Sequence, residues 1–161
     1  ALAVRSEEAL HGTEARAVHG RVHALTTPWL DAGSRARLAA EHAKRNELAV
    51  VFSPEAEEQL AELYRYIAAA ASPDVAARYT EAIVTYCESL RTLPLRGTQR
   101  DDVRPGLRIT NYKKRAVIAF DVDTEAVSII GIFYGGQDYE TVLRDDAGMG
   151  TTGMLAALRT A

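Results

Sequence analysis

Gly106 to Tyr134 reads GLRITNYKKRAVIAFDVDTEAVSIIGIFY, the longest apolar, β-branched stretch of the chain. Polar residues cut it into three pieces. Leu107–Asn111 comes first, and Tyr112-Lys113-Lys114 turns the chain. Ala116–Val122 follows, Asp123-Thr124-Glu125 turns it again, and Val127–Tyr134 returns. Short runs rich in Val, Ile, Phe and Tyr, separated by brief polar breaks, predict an antiparallel meander. Val117, Ile118, Phe120, Val122, Ile129, Ile132 and Phe133 then need an apolar cover, which the rest of the chain must supply.

The cover lies upstream. Leu48–Phe52 is a short apolar strand, and Ser53-Pro54-Glu55 after it is a helix start: hydroxyl at the N-cap, Pro at N1, acid in the first turn. Ala56, Leu60, Leu63, Tyr64 and Ile67 follow at helical spacing. Ser72-Pro73-Asp74 repeats the start signal, and Tyr79, Ile83, Tyr86, Cys87 and Leu90 form a second stripe that ends before Pro94. Two capped helices with a short break predict a helical hairpin. The element order is strand, helix, helix, three strands: an α+β domain with the hairpin on one face of a small, mostly antiparallel sheet.

The flanks are less regular. Leu95–Pro105 reads as a polar connection, Gln137–Leu143 as a short helix or extended tail, and residues 147–161 as a flexible tail with glycine-rich AGMGTTG near its start. Residues 1–46 read as a thinly cored helical arm. Ser6 with Glu7 and Glu8 starts a helix, Thr26-Thr27-Pro28 breaks it, and Ser34 caps a second helix through Arg45. His19 and His23 sit one helical turn apart, yet no third ligand is placed beside them, so they read as partly exposed helix residues. Nothing in the sequence calls for a metal or a cofactor.

With 47% apolar and 25% charged residues, the chain has the means for a core without staples. Cys87 is the single cysteine, so no internal disulfide demands an oxidising compartment. Residues 1–10 lack the pattern of a secretory leader and no apolar run is long enough to span a bilayer. The expectation is a cytoplasmic protein with no membrane partner. Residues 47–146 carry 11 Lys and Arg against 17 Asp and Glu, a net of −6. Within them lies a basic island: Arg91, Arg96, Arg100, Arg104, Arg108, Lys113, Lys114 and Arg115 face only Asp101 and Asp102. All four histidines precede residue 47.

Residues 48–143 resemble the RelE/ParE toxin superfamily of type II toxin–antitoxin systems, most closely its ParE branch. Four segments carry the resemblance in order and spacing: Ser53-Pro54-Glu55-Ala56, Leu63-Tyr64-Arg65-Tyr66-Ile67, Arg104-Pro105-Gly106-Leu107-Arg108, and Tyr134-Gly135-Gly136-Gln137-Asp138-Tyr139. The resemblance implies a β-α-α-β-β-β fold and the toxin half of a bacterial pair, neutralised by a cognate antitoxin in a hetero-oligomer. ParE-like members poison DNA gyrase by binding, whereas RelE-like members cleave mRNA on the ribosome. Operator DNA is reached only through the antitoxin. The arm at 1–46 is then either an antitoxin-like segment joined to its toxin or an extension of the toxin itself.

Cleaving RNA needs an acid/base residue and several cations around the phosphorane. The domain from 47 onward has no histidine, and its net −6 opposes approach to dense phosphate. Arg108, Lys113, Lys114, Arg115 and Tyr139 are the parts such a nuclease would have to use, and the RelE set cannot be placed residue by residue. The reading is therefore a gyrase-binding toxin with no catalytic residue of its own. The alternatives are the ribosome-dependent endonuclease and an inactive homologue acting only in an antitoxin complex. Arg104, Arg108, Lys113, Lys114, Arg115, Tyr134 and Tyr139 are the expected contacts to target or antitoxin.

Overall fold

The computed structural model describes residues 2–149, with side chains described over 16–144. Ten elements follow in order: α1 (Leu2–Leu30), α2 (Ala32–Ala43), β1 (Ala49–Phe52), α3 (Pro54–Ala70), α4 (Pro73–Ser89), β2 (Thr98–Gln99), β3 (Arg108–Tyr112), β4 (Ala116–Val122), β5 (Ala126–Tyr134) and α5 (Tyr139–Met149). The expected α+β order is present. Ser53 and Ser72 cap α3 and α4 as read from the sequence, their hydroxyls accepting from Ala56 N–H (3.0 Å) and Val75 N–H (3.1 Å).

The sheet order is β1-β5-β4-β3-β2, with β1 parallel to β5 and every other pair antiparallel. One register shift matters. Ala119 pairs with Gly131 but Phe120 pairs with Ile129, so Ile130 is an extra residue in β5. The bulge reverses the side-chain alternation along β5. Ile129 and Ile132 therefore share the helix-covered face, while Ile130 and Phe133 share the other. α3 and α4 bury Leu60, Leu63, Ile83, Val84 and Cys87 against Val50, Phe52, Ile118 and Phe120. Burial pushes the Cys87 thiol well above its usual range and leaves it an inert core residue. On the opposite face Val103, Leu107 and Ile109 meet Val142 and Leu143 of α5.

Three local readings are corrected, and the open one at Gln137–Leu143 resolves as a helix. Pro28 does not break the first helix, which runs to Leu30. It sits in the final turn, where its missing N–H forfeits one rung, and Thr26 and Thr27 hydroxyls bond the carbonyls of Val22 and His23 there. α2 is capped by Asp31, not Ser34: its carboxylate accepts from Gly33 N–H (3.0 Å) and the Ser34 hydroxyl (2.7 Å). Those bonds hold the Asp31 carboxyl below its usual pKa. The tail forms α5 as far as Met149, capped by Asp138 through Thr141 N–H and Oγ1, and residues 150–161 lie outside the described residues. Within the polar connection, Thr98 and Gln99 pair with Ile109 and Arg108 as a fifth strand.

That strand depends on Gly97. Its φ is +82°, and a Cβ there would sit 2.2 Å from the Ile109 carbonyl oxygen. Gly97→Ala is expected to open the β2–β3 rungs at a cost of about 1–3 kcal/mol, read as faster amide exchange at Thr98 and Arg100. Gly106 has φ +79° but open space around a Cβ, so Gly106→Ala should cost about 1 kcal/mol and leave those amides protected.

Candidate functional site

The register places the site. Ala116 pairs with Tyr112 on one side and Tyr134 on the other, so both tyrosines flank a fully buried alanine on the same face of the sheet. Strands one removed are about 10 Å apart, and the small side chain between leaves room for a ring. Tyr79 of α4 fills it, its centroid 5.8 Å from Tyr112 and 5.9 Å from Tyr134. Tyr86, two helical turns further along α4, lies 5.3 Å from Tyr112, and Tyr66 of α3 lies 6.1 Å from Tyr134. The result is a continuous row, Tyr86–Tyr112–Tyr79–Tyr134–Tyr66, in tilted and edge-on contacts.

Cations border it. Arg96 lies 5.4 Å from the Tyr86 centroid and Lys113 Nζ 5.5 Å from that of Tyr112. Lys113, Lys114 and Arg115 are all exposed on the β3–β4 turn. Arg115 N–H donates to the Tyr112 carbonyl, with Lys113 at φ 49° and Lys114 at φ 62°. Consecutive left-handed residues match the twist of a two-stranded hairpin, but lysine is an unfavourable choice for them.

The seven expected contact residues do not form one surface. Lys113, Lys114, Arg115 and Tyr134 gather at the tyrosine row. Arg108 instead holds the loop before β2, with Nη2 2.6 Å from the Leu95 carbonyl and Nε 3.4 Å from that of Arg96. Tyr139 packs against Phe133 on the opposite face, and its hydroxyl accepts from Arg100 Nη1 at 2.9 Å. Arg100 also bridges Asp102 and Glu140, a closed network in which the guanidinium stays charged. Arg104 is half-buried and, with Arg35, opposes the rise that burial and Asp123 impose on the Asp121 carboxyl. His19 and His23 stack at 6.2 Å, and His23 Nδ1 lies 3.2 Å from Glu57 Oε1. Among the described residues no group of three or more His, Cys, Asp or Glu is placed to hold a metal.

Sequence spacing on the two helices reads Tyr64, Tyr66, Tyr79 and Tyr86 as packing rather than stacking platforms. The overlooked signal is the seven-residue interval from Tyr79 to Tyr86 together with the Tyr112–Ala116–Tyr134 register. Tyr79 carries the one hydroxyl in the row that is buried without a partner, among the described residues. Desolvation, then the neighbouring Tyr134 and Tyr112, raise its pKa above the usual phenol value, against a small opposing effect of Arg115. The folded state thus holds this proton more tightly than the unfolded chain. Its contribution to stability is full below the unfolded phenol pKa and is lost as pH rises through the folded one. Tyr79→Phe is expected to leave neutral-pH stability unchanged or up to about 1 kcal/mol higher, and to flatten the alkaline decline in urea midpoint.

The arrangement offers amphipathic rings and exposed cations side by side. Among the described residues no helix is long and apolar enough to cross a membrane. No match was found among curated proteins. Among solved structures, a chain of a chromosomal ParDE TA system from P. aeruginosa is 19% identical, with a TM-score of 0.49, covering 54% of this chain and 95% of its own. The family model for the ParE toxin of the type II toxin-antitoxin system, parDE, matches residues 50–139. That span is more than half of the chain and takes in β1 through the start of α5, and the chain belongs to the ParE toxin family.

Proposed function

We propose that this ParE toxin acts by binding, with DNA gyrase as its target, and carries no catalytic residue. A cognate antitoxin neutralises it in a hetero-oligomer and supplies the only route to operator DNA. The observation that carries the reading is the cationic β3–β4 turn set beside the tyrosine row on a domain whose net charge is −6. Such a surface suits a local protein contact and suits long-range attraction to nucleic acid poorly. Lys113, Lys114, Arg115 and Tyr134 are the contact residues of this proposal, joined by Tyr112 and Arg96.

The test is supercoiling by purified gyrase with the full chain added, read for inhibition and for stabilised double-strand breaks. Inhibition with breaks supports the proposal. No effect at micromolar protein overturns it, and A-site mRNA cleavage in a translation extract would replace it with an endonuclease.

A further inference from the structure

The solvent-facing flank of α4 carries a groove. Arg78, Glu81, Thr85, Tyr86, Ser89 and Tyr112 line an open space of about 540 Å³ there. Arg78 and Tyr86 lie two helical turns apart, so about 12 Å of helix separates the two ends. Arg96 sits beside Tyr86 at one end, and Lys113 beside Tyr112, the ring that meets both Tyr79 and Tyr86. Lys114 and Arg115 follow, exposed, on the same turn. Cations from α4, the loop before β2 and the β3–β4 turn therefore border one groove, although the three are distant in sequence.

Arginines elsewhere find carboxylates. Arg21 and Arg91 reach Glu88, Arg35 reaches Asp123, Arg65 reaches Glu58, and Arg100 holds Asp102 and Glu140. Residues 47–146 have carboxylates to spare, 17 against 11 Lys and Arg. Yet among the described residues Arg96, Lys113, Lys114 and Arg115 form no ion pair. The groove's own carboxylate, Glu81, lies 3.9 Å from Arg21 of α1. Neighbouring like charges repel, so an unmatched cluster on an acidic domain is where negative charge from outside gains most.

We propose that this groove binds an acidic polypeptide segment of a protein partner, its carboxylates meeting Arg78, Arg96 and Lys113 and its apolar side chains lying against the tyrosines. Nucleic acid is the poorer fit. Tyr79, Tyr86 and Tyr112 are locked in tilted and edge-on contact, and the Tyr86 hydroxyl is tied to Thr110 at 2.8 Å, whereas bases stack on open ring faces. A net of −6 also opposes a dense polyanion more than a segment with a few carboxylates. The inference deepens the binding reading above: it rests on the cationic turn being a contact, not on gyrase being the protein contacted.

The test selects displayed random peptides on the full chain, each about twelve residues long so as to cover the groove whether extended or helical. Synthetic copies are then titrated while backbone amides are followed by NMR. The expected result is Asp- and Glu-rich peptides that shift the Tyr112, Lys113 and Lys114 signals. Arg78→Glu and Lys113→Glu should each weaken them about tenfold, and Arg45→Glu, exposed on α2, should stay within about twofold. Glu81→Lys should tighten them about threefold, a gain that misfolding cannot mimic. The proposal is overturned if the selected peptides are not acidic, if the groove variants match Arg45→Glu, or if Glu81→Lys brings no gain. Equal or tighter binding of a twelve-nucleotide oligo-dT overturns it in favour of nucleic acid. The same shifts on concentrating the chain without peptide overturn it in favour of a second copy. Peptide binding without gyrase inhibition sinks the gyrase reading alone, and inhibition without peptide binding sinks this inference alone.

Discussion

Replacing Lys113, Lys114 and Arg115 together with glutamate is expected to weaken inhibition of gyrase supercoiling by about 100-fold or more. The three side chains are exposed on one turn and lie at the edge of the tyrosine row. Each reversal removes one attraction and adds one repulsion, about 1 kcal/mol or more per site at a partly desolvated contact. Three sites give about 3–4 kcal/mol, and each 1.4 kcal/mol is tenfold in affinity. Stability should hardly move, since no core residue is touched. The result should be compared with Arg100→Ala, which breaks the Asp102–Glu140–Tyr139 network on the opposite face and should leave inhibition within about threefold. If the triple variant inhibits as wild type does, the turn is not the contact. If Arg100→Ala is the damaging one, the site lies on the α5 face.

Asn-Gly in place of Lys113-Lys114 separates charge from backbone. It keeps the turn, which favours that pair, and relieves two left-handed lysines, so the hairpin should gain about 1 kcal/mol while inhibition falls. A turn that is less stable than its sequence could make it is consistent with side chains retained for contact.

The helical hairpin and the meander were legible because their signals are local. Ser-Pro-acid starts, apolar stripes at helical spacing and polar breaks between β-branched runs need no knowledge of what packs where. β2 was not legible, because Thr98 and Gln99 carry no apolar alternation and are a strand only through Gly97's approach to Ile109. The tyrosine row was hidden for a related reason: Tyr79 and Tyr86 fit a core stripe, and only the register around Ala116 shows which rings they meet. Counting charge found Lys113, Lys114 and Arg115 but grouped them with Arg108 and Arg104, whose guanidiniums tertiary structure directs elsewhere. The β5 bulge leaves no mark in the periodicity beyond Gly131, where a Cβ would press on the Phe133 ring at 2.7 Å.

Val22→Asp is expected to lower stability by about 3–5 kcal/mol and Tm by roughly 6–20 °C, measured by urea and thermal unfolding of the full chain. Residues 1–46 read from sequence as a thinly cored arm, and what holds them to the hairpin decides whether they are part of one folding unit. Val22 is 2% exposed within the main core, and Val18 and Leu25 pack beside it. The polar contacts around it are modest. Arg21 reaches Glu88 and the Thr85 hydroxyl, and His23 meets Glu57, but pairs this exposed are worth about 0–1 kcal/mol each. The apolar seam must therefore supply most of the adhesion, and a buried carboxylate would replace it with an uncompensated desolvation cost. Leu30, at 71% exposed, offers the control: Leu30→Asp should stay within about 0.5 kcal/mol of wild type. If Val22→Asp proves equally mild, α1 lifts from the hairpin without unfolding it, and residues 47–146 fold as a unit that carries the arm as an accessory.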